Sequence, residues 1–285
     1  MRTEHKMKYI LYNRLADNKR AIATAEALRE KLGKGDMLIV EGLDFNGFLS
    51  KLDETDEVYL VGGDGTLNRF ANDIYEKNYL PKIYFYPAGS GNDFVNDNKP
   101  ALNNGVIELA PFLHDLPTVF VNGTKRKFLN GIGFGLDGVC CEIGDEIRAK
   151  SDRKKVNYTA IALKLCLYAY KPRKATVTVD GVRHEFKNVW IAPVMKGRYY
   201  GGGMMVAPRQ DRFDDSKKVT LVIVSTRSRL KLLFNFPKIF KGEHEKKKIV
   251  HFFTGRNVTV EFDKPCALQI DGDTVRNVKE YTVKI

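Results

Sequence analysis

The sequence predicts an α/β chain in two parts: a doubly wound, mostly parallel sheet over residues 1–121, followed by a β-sandwich over residues 122–285. Three observations predict this. Short apolar runs alternate with helical patterns through the first part, the mark of a parallel sheet. Two glycine-rich turns, each with an embedded acid, follow successive strands there. Beyond Val121 the pattern changes to short strands punctuated by turn pairs such as Asn122-Gly123 and Asp180-Gly181.

The elements follow in order. Lys8 to Tyr12 reads as a first strand, with a turn at Asn13 to Asn18. Ala21 to Leu32 has Ala and Leu at helical spacing and reads as a helix. Met37 to Val40 is a second strand and Phe45 to Leu52 a short helix. Val58 to Val61 is a buried strand that runs into Gly62-Gly-Asp-Gly-Thr66 and then a helical pattern from Leu67 to Tyr75. Ile83 to Tyr86 is the next strand, followed by Pro87-Ala-Gly-Ser-Gly-Asn-Asp-Phe94. In the second part, Val119 to Val121 and Lys127 to Leu129 flank a hairpin turn. A charged loop at Lys150 to Lys155 precedes one helical insert, Tyr158 to Ala169. Strands are expected at Ala175–Val179, Val189–Ala192, Val219–Val224, Asn257–Phe262 and Ala267–Ile270. A cleft between the two domains completes the expected architecture.

The two glycine turns carry the chemistry. A glycine turn between strand and helix lets backbone N–H groups approach an anion, and the helix N-terminus adds positive potential. Gly62, Gly63, Gly65, Thr66 and Ser90 are therefore candidate phosphate-loop residues. Asp64 beside phosphate is repelled unless a cation intervenes or it binds a hydroxyl, so the loop asks for a nucleotide with Mg²⁺. No Gly-Lys-Ser/Thr is present, so this is not the common P-loop. Gly89 and Gly91 free the second loop's backbone, Ser90 and Asn92 add side-chain donors, and Asp93 repeats the acid. One such turn reads equally as a plain tight turn. Two at the ends of successive strands lie where ligands bind in open α/β sheets. Gly131-Ile-Gly-Phe-Gly135 looks like a dinucleotide fingerprint but is expected outside the strand–helix context that the fingerprint requires.

Composition bounds the function. The 285 residues are enough for two domains, and the 43% hydrophobic content is that of an ordered globular protein. No apolar run approaches the ~18 residues of a membrane span, and the charged start has no signal-peptide core. Cys140, Cys141, Cys166 and Cys266 lack metal-ligand spacing and read as reduced, buried cytosolic thiols. The net charge of +12 asks for an anionic partner. Arg227 to Lys248 interleaves eight basic residues with Leu230, Leu232, Leu233, Phe234, Phe236, Ile239 and Phe240. Such a stretch suits an anionic bilayer interface, and equally a helix that covers a sheet with a charged outer face.

The chain resembles the diacylglycerol kinase catalytic family, in its bacterial soluble branch related to sphingosine and ceramide kinases. The match runs through Gly62–Thr66, Gly89–Phe94, Phe128–Asp137, Gly197–Met204, Ala207-Pro208, Asp214-Asp215, Gly242–His244 and Asp271-Gly-Asp273, in order along almost the whole chain. The first motif alone is shared with NAD kinases and phosphofructokinases. The resemblance implies an ATP-dependent lipid kinase that moves the γ-phosphoryl group to diacylglycerol or a related lipid, with ATP and Mg²⁺ as cofactors. It implies nucleotide contacts from Asn13, Gly62, Gly63, Asp64, Gly65, Thr66, Asn68, Gly89, Ser90, Gly91, Asn92 and Asp93. Asp64, Asp93 and Asp137 are expected around the Mg²⁺–nucleotide, Asp64 with a catalytic part; a turn cap is the rival reading of Asp137. The second acid of Asp271-Gly-Asp273, Asp273, is implied as general base; a plain hairpin turn is the rival reading there. A second, structural Mg²⁺ is implied at Asp215, with the carbonyls of Arg212 and Lys217, although Ser216 and Lys218 depart from the family pattern. Arg14, Arg69 and Met195 depart from it too.

The expected setting is cytoplasmic and peripheral at the inner membrane surface, with an anionic membrane as partner, no nucleic acid, and a homodimer as the assembly to test for. Two other readings stand beside the lipid kinase. One is an NAD-kinase-like or other small-molecule kinase sharing Gly62–Thr66. The other is a non-catalytic nucleotide- or lipid-binding protein.

Overall fold

The computed structural model of the chain describes residues 6–14, 20–75, 79, 81–89, 91–150 and 156–285. It divides into two compact units, Met1–Asp115 and Leu116–Ile285.

In the first unit the elements are β1 (Lys8–Tyr12), α1 (Arg20–Leu32), β2 (Asp36–Ile39), α2 (Phe45–Leu49), β3 (Glu57–Gly62), α3 (Asp64–Ile74), β4 (Lys82–Pro87), α4 (Asp93–Asp97) and β5 (Ile107–Glu108). The sheet order is β2-β1-β3-β4-β5. β1 to β4 are parallel and β5 is antiparallel at the edge. β3 is central and buried along its whole length, which is why Val58 to Val61 reads as a continuous apolar run. α1 buries Ala21, Ala25 and Leu28, spaced to share one face, and stops at Gly33 in the left-handed region (φ 76°). α3 buries Leu67, Phe70, Ala71 and Ile74 on one face in the same way. β1 lies between β2 and β3, so the order in which strands are added to the sheet reverses there, and the carboxyl ends of β1 and β3 flank the crevice that such sheets use for ligands.

The second unit contains β6 (Thr118–Val121), β7 (Thr124–Lys127), β8 (Gly131–Phe134), α5 (Leu136–Lys150), α6 (Tyr158–Lys164), β9 (Arg173–Val179), β10 (Val182–Ile191), β11 (Val194–Met195), β12 (Tyr199–Tyr200), β13 (Met204–Met205), β14 (Val219–Ser225), α7 (Arg229–Asn235), β15 (Val250–Gly255), β16 (Asn257–Ile270) and β17 (Asp273–Lys284). Ten strands form one sheet in the order β7-β6-β17-β16-β8-β11-β14-β10-β9, with β15 on β14. β16 closes it: its first half pairs with β9 and its second half with β8. The strand bends between, where its register with β17 slips around Cys266 and where Pro265 lacks an N–H to donate. The inward side chains of this folded-over sheet, among them Val177, Val258, Phe262, Ile132, Phe134 and Leu221, make the core, and Phe134 stacks on Phe262 at 4.0 Å.

Four expectations change. The division falls before β6, not after Val121, because β6 pairs with β17 and belongs to the second sheet. Asn257–Phe262 and Ala267–Ile270 are one bent strand. The helix α5 was not expected; Gly138 weakens its local signal, yet a Cβ there would lie 2.1 Å from the Ala267 carbonyl oxygen, so glycine is what lets α5 lie on β16. With α5 present, Gly131–Gly135 does join a strand to a helix, contrary to expectation. β8 has only antiparallel neighbours, so the parallel βαβ unit of a dinucleotide site is still absent there. The charged loop expected at Lys150 to Lys155 lies largely outside the described residues, as does most of the turn expected from Asn13 to Asn18.

Candidate functional site: two glycine loops and a buried acid

Asn13, Gly62–Thr66, and Ala88, Gly89 and Gly91–Asp93 lie at the carboxyl ends of β1, β3 and β4, so the parallel sheet brings them together. Asn13 Nδ2 donates to Thr66 Oγ1 at 3.0 Å. The two glycine loops touch backbone to backbone: a Cβ on Gly89 would lie 2.6 Å from Gly63 Cα, which only glycine avoids. Asp64 ties the loops further. Its Oδ2 accepts the Asp93 N–H and its Oδ1 the Phe94 N–H, both at 3.0 Å. The carboxylate therefore caps the first turn of α4, where backbone donors and helix potential favour a negative charge. Asp93 is buried in that same turn. Asn68 is buried in α3, where its Oδ1 and carbonyl accept from Asn72 Nδ2. Gly91 lies beside Asp64. Ser90 lies outside the described residues.

Phosphate chemistry fits this corner. Leu67 N–H bonds to the Gly63 carbonyl, so the amides of Asp64, Gly65 and Thr66 precede the first helical hydrogen bond of α3. A Cβ on Gly65 would meet nothing within 4 Å. Asn92, in the left-handed region (φ 49°), turns Oδ1 toward the loop, buried and without a donor. A phosphate oxygen cannot satisfy that acceptor; a hydroxyl or amino group of a nucleotide, or a cation, would. Among the described residues no three acidic, His or Cys side chains gather as a metal cage. A cation carried by nucleotide phosphates needs only one or two carboxylates, and Asp64 and Asp93 are of that kind.

The other expected residues belong to the second unit. Asp137 sits in the first turn of α5, fully enclosed. Tyr200 OH donates to its Oδ2 at 2.8 Å and its Oδ1 has no partner. Burial pushes its carboxyl up from 3.8 to about 6, against the Tyr200 hydrogen bond and the α5 amides, which lower it. A Cβ on Gly133 would lie 2.0 Å from Asp137 Oδ2, so the glycine of β8 makes room for the acid. Tyr200 comes from the β12–β13 hairpin, whose Gly201, Gly202 and Gly203 all take positive φ. The sequence motif Gly197–Met204 contained this partner, but nothing local marked it as one.

Asp271-Gly272 forms the β16–β17 hairpin turn, with φ 45° and 97°. Asp271 accepts three backbone amides, from Leu129 (2.6 Å), Asn130 (2.9 Å) and Gly131 (2.9 Å). On the other side of that stretch the buried Arg212 guanidinium donates to the Leu129 carbonyl (2.5 Å) and Asn130 Oδ1 (3.2 Å), a role that sequence reasoning missed. Asp273, at the start of β17, is exposed and meets Arg126 of β7 at 2.7 Å. In the expected second metal turn, Asp214 accepts from the Ser216 N–H at 3.1 Å and from the Ser216 hydroxyl. Asp215 is exposed, and Lys217 takes φ 51° with its N–H on the Asp214 carbonyl. Nothing in this turn's hydrogen bonding adds a ligand to the expected set. His244 is buried, its Nε2 2.9 Å from the Val206 carbonyl, and burial holds it below the usual histidine range. Cys140, Cys141, Cys166 and Cys266 are free thiols, three of them buried as expected and Cys141 only half-buried; burial pushes Cys141 and Cys266 up to about 12. No helix among the described residues is long and apolar enough to cross a membrane.

Comparison with known proteins gives these features a common frame. Residues 8–106 match the diacylglycerol kinase catalytic domain, and residues 130–282 match the YegS C-terminal NAD kinase beta sandwich-like domain. A diacylglycerol kinase of Mycobacterium tuberculosis is 28% identical over 230 residues, covering 75% of this chain and 72% of that protein. A crystal structure of a diacylglycerol kinase from Bacillus anthracis superposes with a TM-score of 0.64 at 18% identity, covering 98% of this chain and 94% of that one. At that identity the likeness is one of fold.

Proposed function

Because the chain belongs to the diacylglycerol kinase catalytic-domain family of lipid kinases, we propose that it transfers the γ-phosphoryl group of ATP to the hydroxyl of diacylglycerol or a related lipid. The observation that supports the reading is the glycine corner of the first unit, where two glycine loops meet backbone to backbone at the N-terminus of α3. There the Gly62–Thr66 loop holds the phosphate chain, Asn13 and Asn68 flank it, and Asp64 fixes the second loop against the first. Asp64 and Asp93 are the residues that would hold a Mg²⁺ carried by the nucleotide, which would supply charge neutralisation of the phosphates. The lipid hydroxyl oxygen forms the new bond to the γ-phosphorus, the bond from that phosphorus to the bridging oxygen breaks, and ADP leaves. The hydroxyl proton is assigned to Asp273. Its partner Arg126 is an exposed ion pair of the kind worth little, so the carboxylate is free to turn to an acceptor. The setting proposed is the cytoplasmic face of a membrane.

The test is incubation of the purified protein with radiolabelled ATP and a panel of lipids in mixed micelles. A labelled phosphatidic-acid-type product is expected with diacylglycerol or a close relative. Label transferred to NAD and to no lipid would replace this reading with that of a small-molecule kinase.

A further inference from the structure

Two surface elements of the second unit turn large apolar side chains outward. α6 continues into a π-helical turn, Leu165–Ala169, and the pair buries Ala162, Leu165 and Cys166 in a cluster shared with Trp190 and with Leu232 of α7. Their outward side chains include Leu163 (49% exposed) and Tyr168 (77%). α7 buries Leu232 in the same cluster and exposes Leu230 (66%) and Phe234 (76%). Arg229 fastens one element to the other: its guanidinium donates to the carbonyls of Cys166 (2.6 Å) and Tyr170 (2.9 Å) and lies 5.1 Å from the Trp190 ring centroid. The outer face of α7 is thus apolar as well as charged, unlike a helix that merely covers a sheet.

The charge along these segments is mainly positive. Residues 157–172 and 226–242 contain Lys164, Lys171, Arg227, Lys231, Lys238 and Lys241 and no Asp or Glu; Glu243 and Glu245 follow directly, with Lys246, Lys247 and Lys248, and α5, which packs on α6, carries Glu142, Asp145 and Glu146. Outward aromatic and aliphatic side chains among an excess of basic residues match a surface with an apolar interior beneath anionic headgroups. A nucleic acid would answer the lysines but not Leu163 and Leu230.

We infer that the outer face of α6, its π-helical turn and α7 is a docking surface for an anionic bilayer, with Tyr168, Leu230 and Phe234 at the acyl boundary and the lysines at the headgroups. The inference deepens the lipid-kinase reading by saying which surface meets the membrane, and it stands on exposure and charge whether or not that reading holds. It also redraws the basic segment read from sequence: Arg229 is used internally, His244 is buried, and α6 joins the face.

The experiment uses the full chain with vesicles of phosphatidylglycerol and phosphatidylcholine. Trp190 is the chain's only tryptophan and is buried, so in Phe234→Trp the fluorescence change on adding vesicles that exceeds the wild type's belongs to position 234. A blue shift and quenching by doxyl-labelled acyl chains are expected. In flotation, the Tyr168→Ser/Phe234→Ser double variant should lose at least about tenfold in partitioning, since burial of one large apolar side chain alone is worth that much. Its thermal melt and its phosphorylation of short-chain diacylglycerol in detergent micelles should be unchanged. An unaltered fluorescence spectrum or undiminished flotation overturns the inference. So does a sedimentation experiment in which the double variant turns a dimer into a monomer, which would make the face a subunit contact. Loss of flotation in the double variant, with a wild type that phosphorylates no lipid, would support the docking surface while ending the kinase reading.

Discussion

Asp271 and Asp273 are two residues apart and face different tasks. Asp271 receives three backbone amides, which fix the stretch before β8; Asp273 stands at the surface with Arg126. Asp273→Asn should leave the melt and Mg²⁺–ATP binding nearly intact while lipid phosphorylation falls by roughly two to four decades, the worth of a positioned base. Asp273→Glu should keep part of the activity. Asp271→Asn should instead lower stability by about 2 kcal/mol or more, because charge-assisted bonds to buried amides are lost. Denaturant titration beside a kinase assay separates the two; an active Asp273→Asn with an inactive, well-folded Asp271→Asn would move the base to the first acid. Asp137 makes a different prediction. Its folded pKa, raised by burial to about 6, exceeds the unfolded 3.8, so the stability it contributes is fully present below about pH 4 and is lost as pH rises through 6. That rise corresponds to about 3 kcal/mol. Asp137→Asn keeps an acceptor for Tyr200 and should flatten the stability profile between pH 4 and 7, and should melt higher than wild type at pH 8.

At the scale of elements, the contact between the loops after β3 and β4 is the feature most exposed to test. Gly65 and Gly89 should respond in opposite ways. Gly89→Ala places a methyl 2.6 Å from Gly63 Cα, backbone against backbone, and should destabilise the first unit by about 1–3 kcal/mol. Gly65 lies inside α3 with open space at its Cβ, so Gly65→Ala should stabilise the helix by about 0.5–1 kcal/mol. That same methyl enters the space assigned to phosphate, so nucleotide affinity should fall. Calorimetric titration beside thermal unfolding checks both; a Gly65→Ala protein that binds ATP normally would place the phosphates elsewhere. The glycine loops were legible in sequence because strand, turn and helix succeed one another within a dozen residues. α5 was not, because its reason for carrying Gly138 is the Ala267 carbonyl, far along the chain.

For the whole molecule, the nucleotide and its metal make one prediction. A ligand that binds only the folded state stabilises it by about 2.7 kcal/mol at a hundredfold excess over Kd. Mg²⁺ with ATP should therefore raise the melting temperature, and ATP with EDTA should not. An equal shift in EDTA would mean that the Asp64 carboxylate serves only the Asp93 and Phe94 amides of the second loop. What the sequence determined by itself is local: the alternating strands and helices of the first unit, both glycine loops, and the hairpin turns at Asn122-Gly123, Asp180-Gly181 and Asp271-Gly272, all of which adopt the positive φ that Asn, Asp and Gly tolerate. Only the tertiary structure decided that the ten-stranded sheet closes through the two halves of β16, and where each carboxylate points. Asp64 takes amides 29 and 30 residues away, Asp137 a tyrosine 63 away, and Asp271 amides 140 to 142 away. A residue's type states what it can bond; its partner depends on which strands come to lie side by side, and no local pattern carries that information.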